Sequence, residues 1–232
     1  MNKYLLPYDI FERHKKIGSL IHAGDVVLDV GGELAQLSRF SKAQKILVAN
    51  LQGSQEKSDI IIKKGKLPFK DSFYSTVCAI DVLEHIPKKD RLNFANELYR
   101  VCKNRTILSF PIGTTTHINY EKELRDWLKT KGTDVTYLDE HINLGLPTTE
   151  EIEAISKGKE AIVSYSGQLQ MSELLFKMHI FDPHIKFIRK LIYFSKLAFN
   201  LLTNEFLYAF LSNKKYSQQV VRAYVVLEKS QK

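Results

Sequence analysis

Cysteine is scarce in this chain, with Cys78 and Cys102 the only two among 232 residues. They stand too far apart for a short metal-ligand spacing, and two cysteines make no disulfide framework. Buried thiols in a reducing compartment are expected instead. Long apolar runs are missing as well. The opening Met1-Asn2-Lys3-Tyr4 begins no apolar signal segment, so a cytoplasmic location is expected. No internal repeat and no low-complexity linker breaks the chain. Acidic residues are in the minority: 26 Asp plus Glu against 34 Lys plus Arg give a formal net charge of +8. That excess suits anionic partners, or simply a solvated lysine-rich surface. No nucleic-acid-binding module is present, and the basic residues are not interleaved with aromatics in the predicted sheet loops. Nucleic acid is therefore not an expected partner.

At 44% hydrophobic and 26% charged, the composition is that of a globular protein. The length gives one sizeable core and is short for two ordinary domains, so 1–232 is expected to be a single domain. Short apolar runs at Val26–Val30, 45–50, 58–63, 75–81, 105–110, Glu160–Ser166 and 217–228 read as seven strands. Helical spacing is found at 9–21, in Leu34, Leu37 and Phe40, at Lys88–Val101 and at 120–130. Thr148-Thr149-Glu150-Glu151 is a capping box that opens a further helix. Residues 112–119, which include His117, read as a polar loop. Strands alternating with helices predict an α/β fold with a mostly parallel sheet.

The pattern centres on Val26-Val27-Leu28-Asp29-Val30-Gly31-Gly32. A buried strand carrying an acid runs into two glycines, where the chain must turn sharply. A ligand in such a unit sits at the C-terminal end of the strand. Downstream, Leu67-Pro68-Phe69-Lys70-Asp71-Ser72-Phe73 leads into Val77-Cys78-Ala79-Ile80-Asp81-Val82-Leu83-Glu84-His85-Ile86-Pro87. Together these stretches resemble the class I S-adenosylmethionine-dependent methyltransferases, and in particular the branch whose fourth strand ends in an Asp-Val-Leu-Glu-His-like run. The resemblance is good from Val26 to about Phe110.

It implies a Rossmann-like, seven-stranded, mostly parallel sheet with an antiparallel last strand and a helical insertion before it. It implies S-adenosyl-L-methionine as cofactor, held by Asp29, Gly31, Gly32, Asn50, Leu51, Leu67 and Asp81. In the family the carboxylate at the position of Asp29 orders the turn and meets the methionine end of the cofactor. The chain departs from the pattern at three places. Glu33 and Ala35 stand where the glycine repeat would continue. Asn50 replaces the acid that accepts from both ribose hydroxyls. Lys63 or Lys64 replaces the acid near the adenine. These departures favour a second reading: a methyltransferase-like scaffold that has lost cofactor binding.

His85 and His117 are the candidate catalytic residues, with Glu84 as an acid/base partner of His85 and His141 within reach of the same region. A metal site built from these histidines is not expected, because no pair has ligand-like spacing. The acceptor implied is a small molecule, a glycan or a lipid-linked group with an oxygen or nitrogen nucleophile.

Residues 172–211 form the helical insertion and are rich in aromatics. Lys186, Arg189, Lys190, Lys196 and Glu205 break every apolar run long enough to span a membrane. On a helical wheel Lys186, Arg189, Lys190, Tyr193, Lys196 and Asn200 share one arc. The insertion is expected to cover the acceptor side with its basic residues outward, in a pose open to peripheral contact with an anionic membrane. The oligomeric state is not legible.

Overall fold

The computed structural model describes residues 2–33, 35–54 and 57–229. Its centre is one seven-stranded sheet in the order β3-β2-β1-β4-β5-β7-β6. The strands are β1 (Val26–Val30), β2 (Lys45–Leu51), β3 (Ile60–Ile62), β4 (Tyr74–Ile80), β5 (Cys102–Pro111), β6 (Glu160–Ser166) and β7 (Arg222–Glu228). β1 to β5 pair parallel, and β7 runs antiparallel to both of its neighbours. This is the predicted α/β architecture.

Alternate residues of the central strands feed two cores, as expected of a sheet covered on both sides. Leu28, Val77, Ala79 and Leu108 face one way and pack with Ala95 and Leu98 of α2 (Lys88–Val101) and Ile152 and Ile155 of α5 (Thr149–Ser156). Val27, Cys78, Ile107 and Tyr224 face the other way, against Ile17 of α1 (Tyr8–Leu20). Both cysteines are free and buried. Cys102 opens β5 rather than closing the helix before it.

A third core, of Leu124, Leu128, Val135 and Leu138, joins α3 (Thr115–Thr130) to α4 (Thr136–Leu144). Phe176 and Ile180 of α6 (Leu169–Ile180) pack on it. The predicted polar loop at 112–119 is therefore half helix: Thr114 caps α3 by accepting from the His117 backbone N–H at 3.1 Å. The predicted capping box at Thr148 and Glu151 is present.

Two expectations need correction. The helix after Gly32 is absent among the described residues, which hold only a 3-10 turn at Leu37–Arg39; Leu34 lies outside them. Ala35 has φ 65°, a left-handed conformation that interrupts a right-handed helix. Leu37 still reaches the second core, so the apolar spacing recorded burial and not helix length.

The other correction concerns α7 (Lys186–Leu211). Its polar arc is in part its inner face. The Asn200 amide donates to the Leu5 carbonyl at 3.0 Å, and Asn204 donates to the carbonyls of Tyr4 (3.2 Å) and Leu6 (3.0 Å). Lys196 turns inward onto the carbonyls of His179 and Phe181. Lys186, Arg189 and Lys190 stay exposed. Phe187, Leu191, Phe194, Leu202, Phe206 and Phe210 are exposed as well, Leu202 at 79% and Phe187 at 78%.

Candidate active site

β1 delivers Asp29 to the sheet interior, where it is 1% exposed. Cys78 on the adjacent β4 donates its thiol hydrogen to Asp29 Oδ1 at 3.5 Å. A thiol is a weak donor. Burial pushes the Asp29 carboxyl up to about 7, and the Cys78 contact offsets this only in part. Gly31 then turns the chain with φ 83°, and its N–H donates to the Ala49 carbonyl at 2.9 Å. A Cβ on Gly32 would lie 2.1 Å from Asp29 Oδ2, and one on Gly31 would lie 2.4 Å from Val82 Cγ2. Both glycines are therefore required by close approach.

Asn50, near the end of β2, is buried and donates its amide N–H to the Gly32 carbonyl at 3.0 Å. A carboxylate at this position could accept but not donate, so the familiar acid would leave the turn without this tie. The replacement by Asn thus has a local reason. Beside it Leu51 is 42% exposed, while Leu67 is buried. The Leu67 N–H donates to the Glu97 carboxylate at 3.0 Å.

The C-terminal ends of β4 and β5 open into a cavity of about 410 Å³. Asp81 marks its floor. It follows β4 directly, has φ 54°, and donates its N–H to the Ser109 carbonyl at 2.9 Å. A non-glycine residue in this conformation is strained and tends to occur where function demands it. The Asp81 carboxylate holds Arg222 of β7 through two contacts and Arg13 of α1 at 2.7 Å. Burial pushes its pKa up, but the two guanidinium groups outweigh that and leave it below the usual carboxylate range. Glu84, 1% exposed, is raised well above its usual value by burial and by the Asp81 charge.

The three histidines singled out from sequence meet in this cavity. His117 lies in the first turn of α3 and donates its Nδ1 proton to the Ile112 carbonyl at 2.9 Å. Burial lowers its pKa, with Glu121 opposing. His141 of α4 sets Nδ1 3.0 Å from Glu121 Oε1. His85 sets Nδ1 2.8 Å from Glu140 Oε2. The rings of His85 and His141 have centroids 5.0 Å apart.

Arg91 of α2 fixes this arrangement while almost wholly buried. It donates to the Ile86 carbonyl next to His85 (2.8 Å), to the Leu144 carbonyl (3.2 Å) and to the Gly145 carbonyl at the end of α4, and it pairs with Glu151 at 3.1 Å. Sequence reasoning did not find Arg91, Arg13, Arg222, Glu121 or Glu140. The one local hint was Glu121, a helical turn after His117.

Of the residues expected to bind cofactor, Asp29, Gly31, Gly32 and Asn50 come together at the turn. Asp81 lines the cavity. Val82, the next residue, packs on Gly31 and joins the two regions through the chain. A buried carboxyl with only a thiol donor to it, beside a backbone turn with no room for a Cβ, fits the ammonium end of S-adenosylmethionine.

Residues 28–110 match the methyltransferase domain family. No curated protein has a sequence that matches this chain. Among solved structures, phosphoethanolamine N-methyltransferase 2 of Haemonchus contortus, in complex with phosphomonomethylethanolamine and S-adenosylhomocysteine, superposes with a TM-score of 0.53 at 13% identity. That match covers 93% of this chain and 51% of the other, so the chain spans about half the length of that enzyme. A SAM-dependent methyltransferase of Archaeoglobus fulgidus gives a TM-score of 0.51 at 9% identity, covering 96% and 94%. A [4+2]-cyclase, SpnF, also shares the fold, with a TM-score of 0.50 at 13% identity over 94% and 80%. The architecture alone therefore does not name a reaction. Residues 28–110 thus match a methyltransferase domain, set in a fold shared with S-adenosylmethionine-dependent methyltransferases.

Proposed function

We propose that the chain moves a methyl group from S-adenosyl-L-methionine to an oxygen or nitrogen of a small-molecule, glycan or lipid-linked acceptor bound in the 410 Å³ cavity. The observation that carries this reading is the nearness of the glycine turn to the cavity: Val82 packs on Gly31, and the preceding residue, Asp81, lines the cavity. Asp29, Gly31 and Gly32 would hold the methionine end of the cofactor, Asn50 and Leu51 its ribose, and Leu67 its adenine. The cofactor supplies an activated methyl, so the protein's task is alignment and exclusion of water. When bound, the cofactor would supply a sulfonium methyl for transfer, and the cavity residues would hold the acceptor atom toward it. The acceptor's proton passes to a cavity histidine, with His85, His117 and His141 the candidates.

The scaffold reading is not favoured, because Asn50 has a structural role at the turn and the match to the methyltransferase domain is intact. A thermal-shift titration with S-adenosylmethionine and S-adenosylhomocysteine tests the choice. Ligand at a hundred times its Kd stabilises the native state by about 2.7 kcal/mol, which raises Tm by several degrees. No shift with either at millimolar concentration would restore the scaffold.

No helix among the described residues is long and apolar enough to cross a membrane. The exposed aromatic side of α7, with Lys186, Arg189 and Lys190 beside it, supports peripheral contact with an anionic bilayer. Co-sedimentation should then rise with the anionic lipid content of vesicles and fall with salt. Equal recovery with neutral and anionic vesicles would remove this part of the reading.

A further inference from the structure

Glu84, His85 and His141 place one ligand-type atom each within 4.8 Å of the others. Two come from the 3-10 turn Leu83–His85 that follows β4, and the third comes from α4. We propose that these three side chains form a binding site for a divalent transition-metal ion of the zinc class, inside the acceptor cavity.

Four observations support it. The donor set is two imidazoles and one carboxylate, which leaves a coordination position open in the manner of catalytic zinc sites. Each imidazole has its Nδ1 against a carboxylate, His85 on Glu140 and His141 on Glu121. Metal-bound histidines are held in this way, since an outer carboxylate fixes the tautomer and leaves Nε2 with its lone pair. Glu84 Oε2 is buried and has no hydrogen-bond partner. A buried polar atom without a partner calls for an explanation, and this one belongs to the carboxyl grouped with both imidazoles. The cavity is also acidic within a basic chain: Asp9, Glu12, Asp81, Glu84 and Glu121 line it against Arg13, Lys196 and Arg222. A dication suits that balance. At 35% side-chain exposure His85 is the least confined of the three, against 9% for His141 and a buried Glu84.

An ion held here would polarise an acceptor hydroxyl within the cavity and, with His85 and His141 engaged as ligands, leave His117 to take its proton. That role rests on the methyltransferase reading; metal binding itself does not. His85 and His141 are 56 positions apart in sequence, so their pairing was visible only in the fold.

The test is calorimetric titration of chelator-treated full-length protein with Zn2+ alone, followed by Co2+ absorption spectroscopy. One Zn2+ per chain at micromolar affinity or tighter is expected, with the visible bands of a low-coordinate Co2+ site. Glu84→Gln and His141→Ala should weaken Zn2+ by more than the ~10–100-fold that loss of an outer carboxylate costs, and Glu121→Gln should fall within that range. His184→Ala, at an exposed histidine, should leave affinity unchanged. Glu84→Gln keeps the side-chain shape, so it decides the matter even where His141→Ala fails to fold. Absence of stoichiometric Zn2+ binding, or equal affinity in wild type and Glu84→Gln, overturns the site. Neither readout uses the cofactor, so this proposal and the methyltransferase reading can fail separately.

Discussion

The glycine turn and the cavity are joined through Asp81 and Val82, yet they are built in opposite ways. The turn is local: Asp29, Gly31 and Gly32 are near neighbours in sequence, and Asn50 joins them from the next strand. The cavity draws on α1, the segment after β4, α3, α4, the insertion and β7. The turn relies on close backbone approach and one strained acid. The cavity relies on charge pairs between distant elements, as in Asp81 with Arg13 and Arg222. A local site can be read from a motif and disturbed alone. A distributed site fails through its ties.

The strongest test of that contrast is Arg91. Replacing it by Met leaves Glu151 without its buried partner and frees the Ile86 and Leu144 carbonyls. Breaking one side of a buried pair costs about 3–5 kcal/mol. Chemical denaturation should register that loss, while calorimetry on the folded fraction should show S-adenosylhomocysteine affinity close to wild type. An equal loss of cofactor affinity would mean that the two regions are one unit.

A smaller effect, confined to the turn, is expected from Asp29→Asn. The folded Asp29 titrates at about 7, against about 3.9 unfolded. Between these values the unfolded chain has lost its proton and the folded chain has kept it, so stability falls as pH rises from about 4 to 7 and then levels off. Asn carries no such penalty. The ligand-free variant should therefore match wild type near pH 4 and exceed it by up to about 4 kcal/mol above pH 7. Its S-adenosylhomocysteine affinity should be roughly 10–100-fold weaker than wild type above pH 7, the loss of one charge-assisted bond. Parallel stability curves for the two proteins across this range would remove the strain assigned to Asp29.

The same contrast explains what was legible in the sequence. Apolar runs and helical spacing placed β1, β6 and α2 to the residue, because each has a local period that its burial follows. Asp29 and the two glycines were visible because their constraint lies within a few positions. The helix predicted after Gly32 was not formed, since backbone conformation at Ala35 is not written in apolar spacing. The wheel drawn for α7 found two faces but not which one meets the protein. Asn200 and Asn204 are polar by composition and interior by virtue of three carbonyls near the other end of the chain. For the cavity, the histidines could be named, but their carboxylate partners depend on the packing of α3, α4 and the segment after β4.

The ties from Asn204 to Tyr4 and from Arg222 to Asp81 also set an order of events during synthesis. The first bridges 200 positions and the second 141. Contacts so distant in sequence form late, because the entropy of closing the loop must be met before the contact returns anything. A ribosome-bound chain shorter than about Arg222 can already hold β1 to β5 and the glycine turn, but its cavity lacks a wall. Competence to retain the cofactor should therefore precede competence to retain an acceptor, and chains stalled before β7 would expose the inner faces of α1 and α7 to whatever chaperone meets them first.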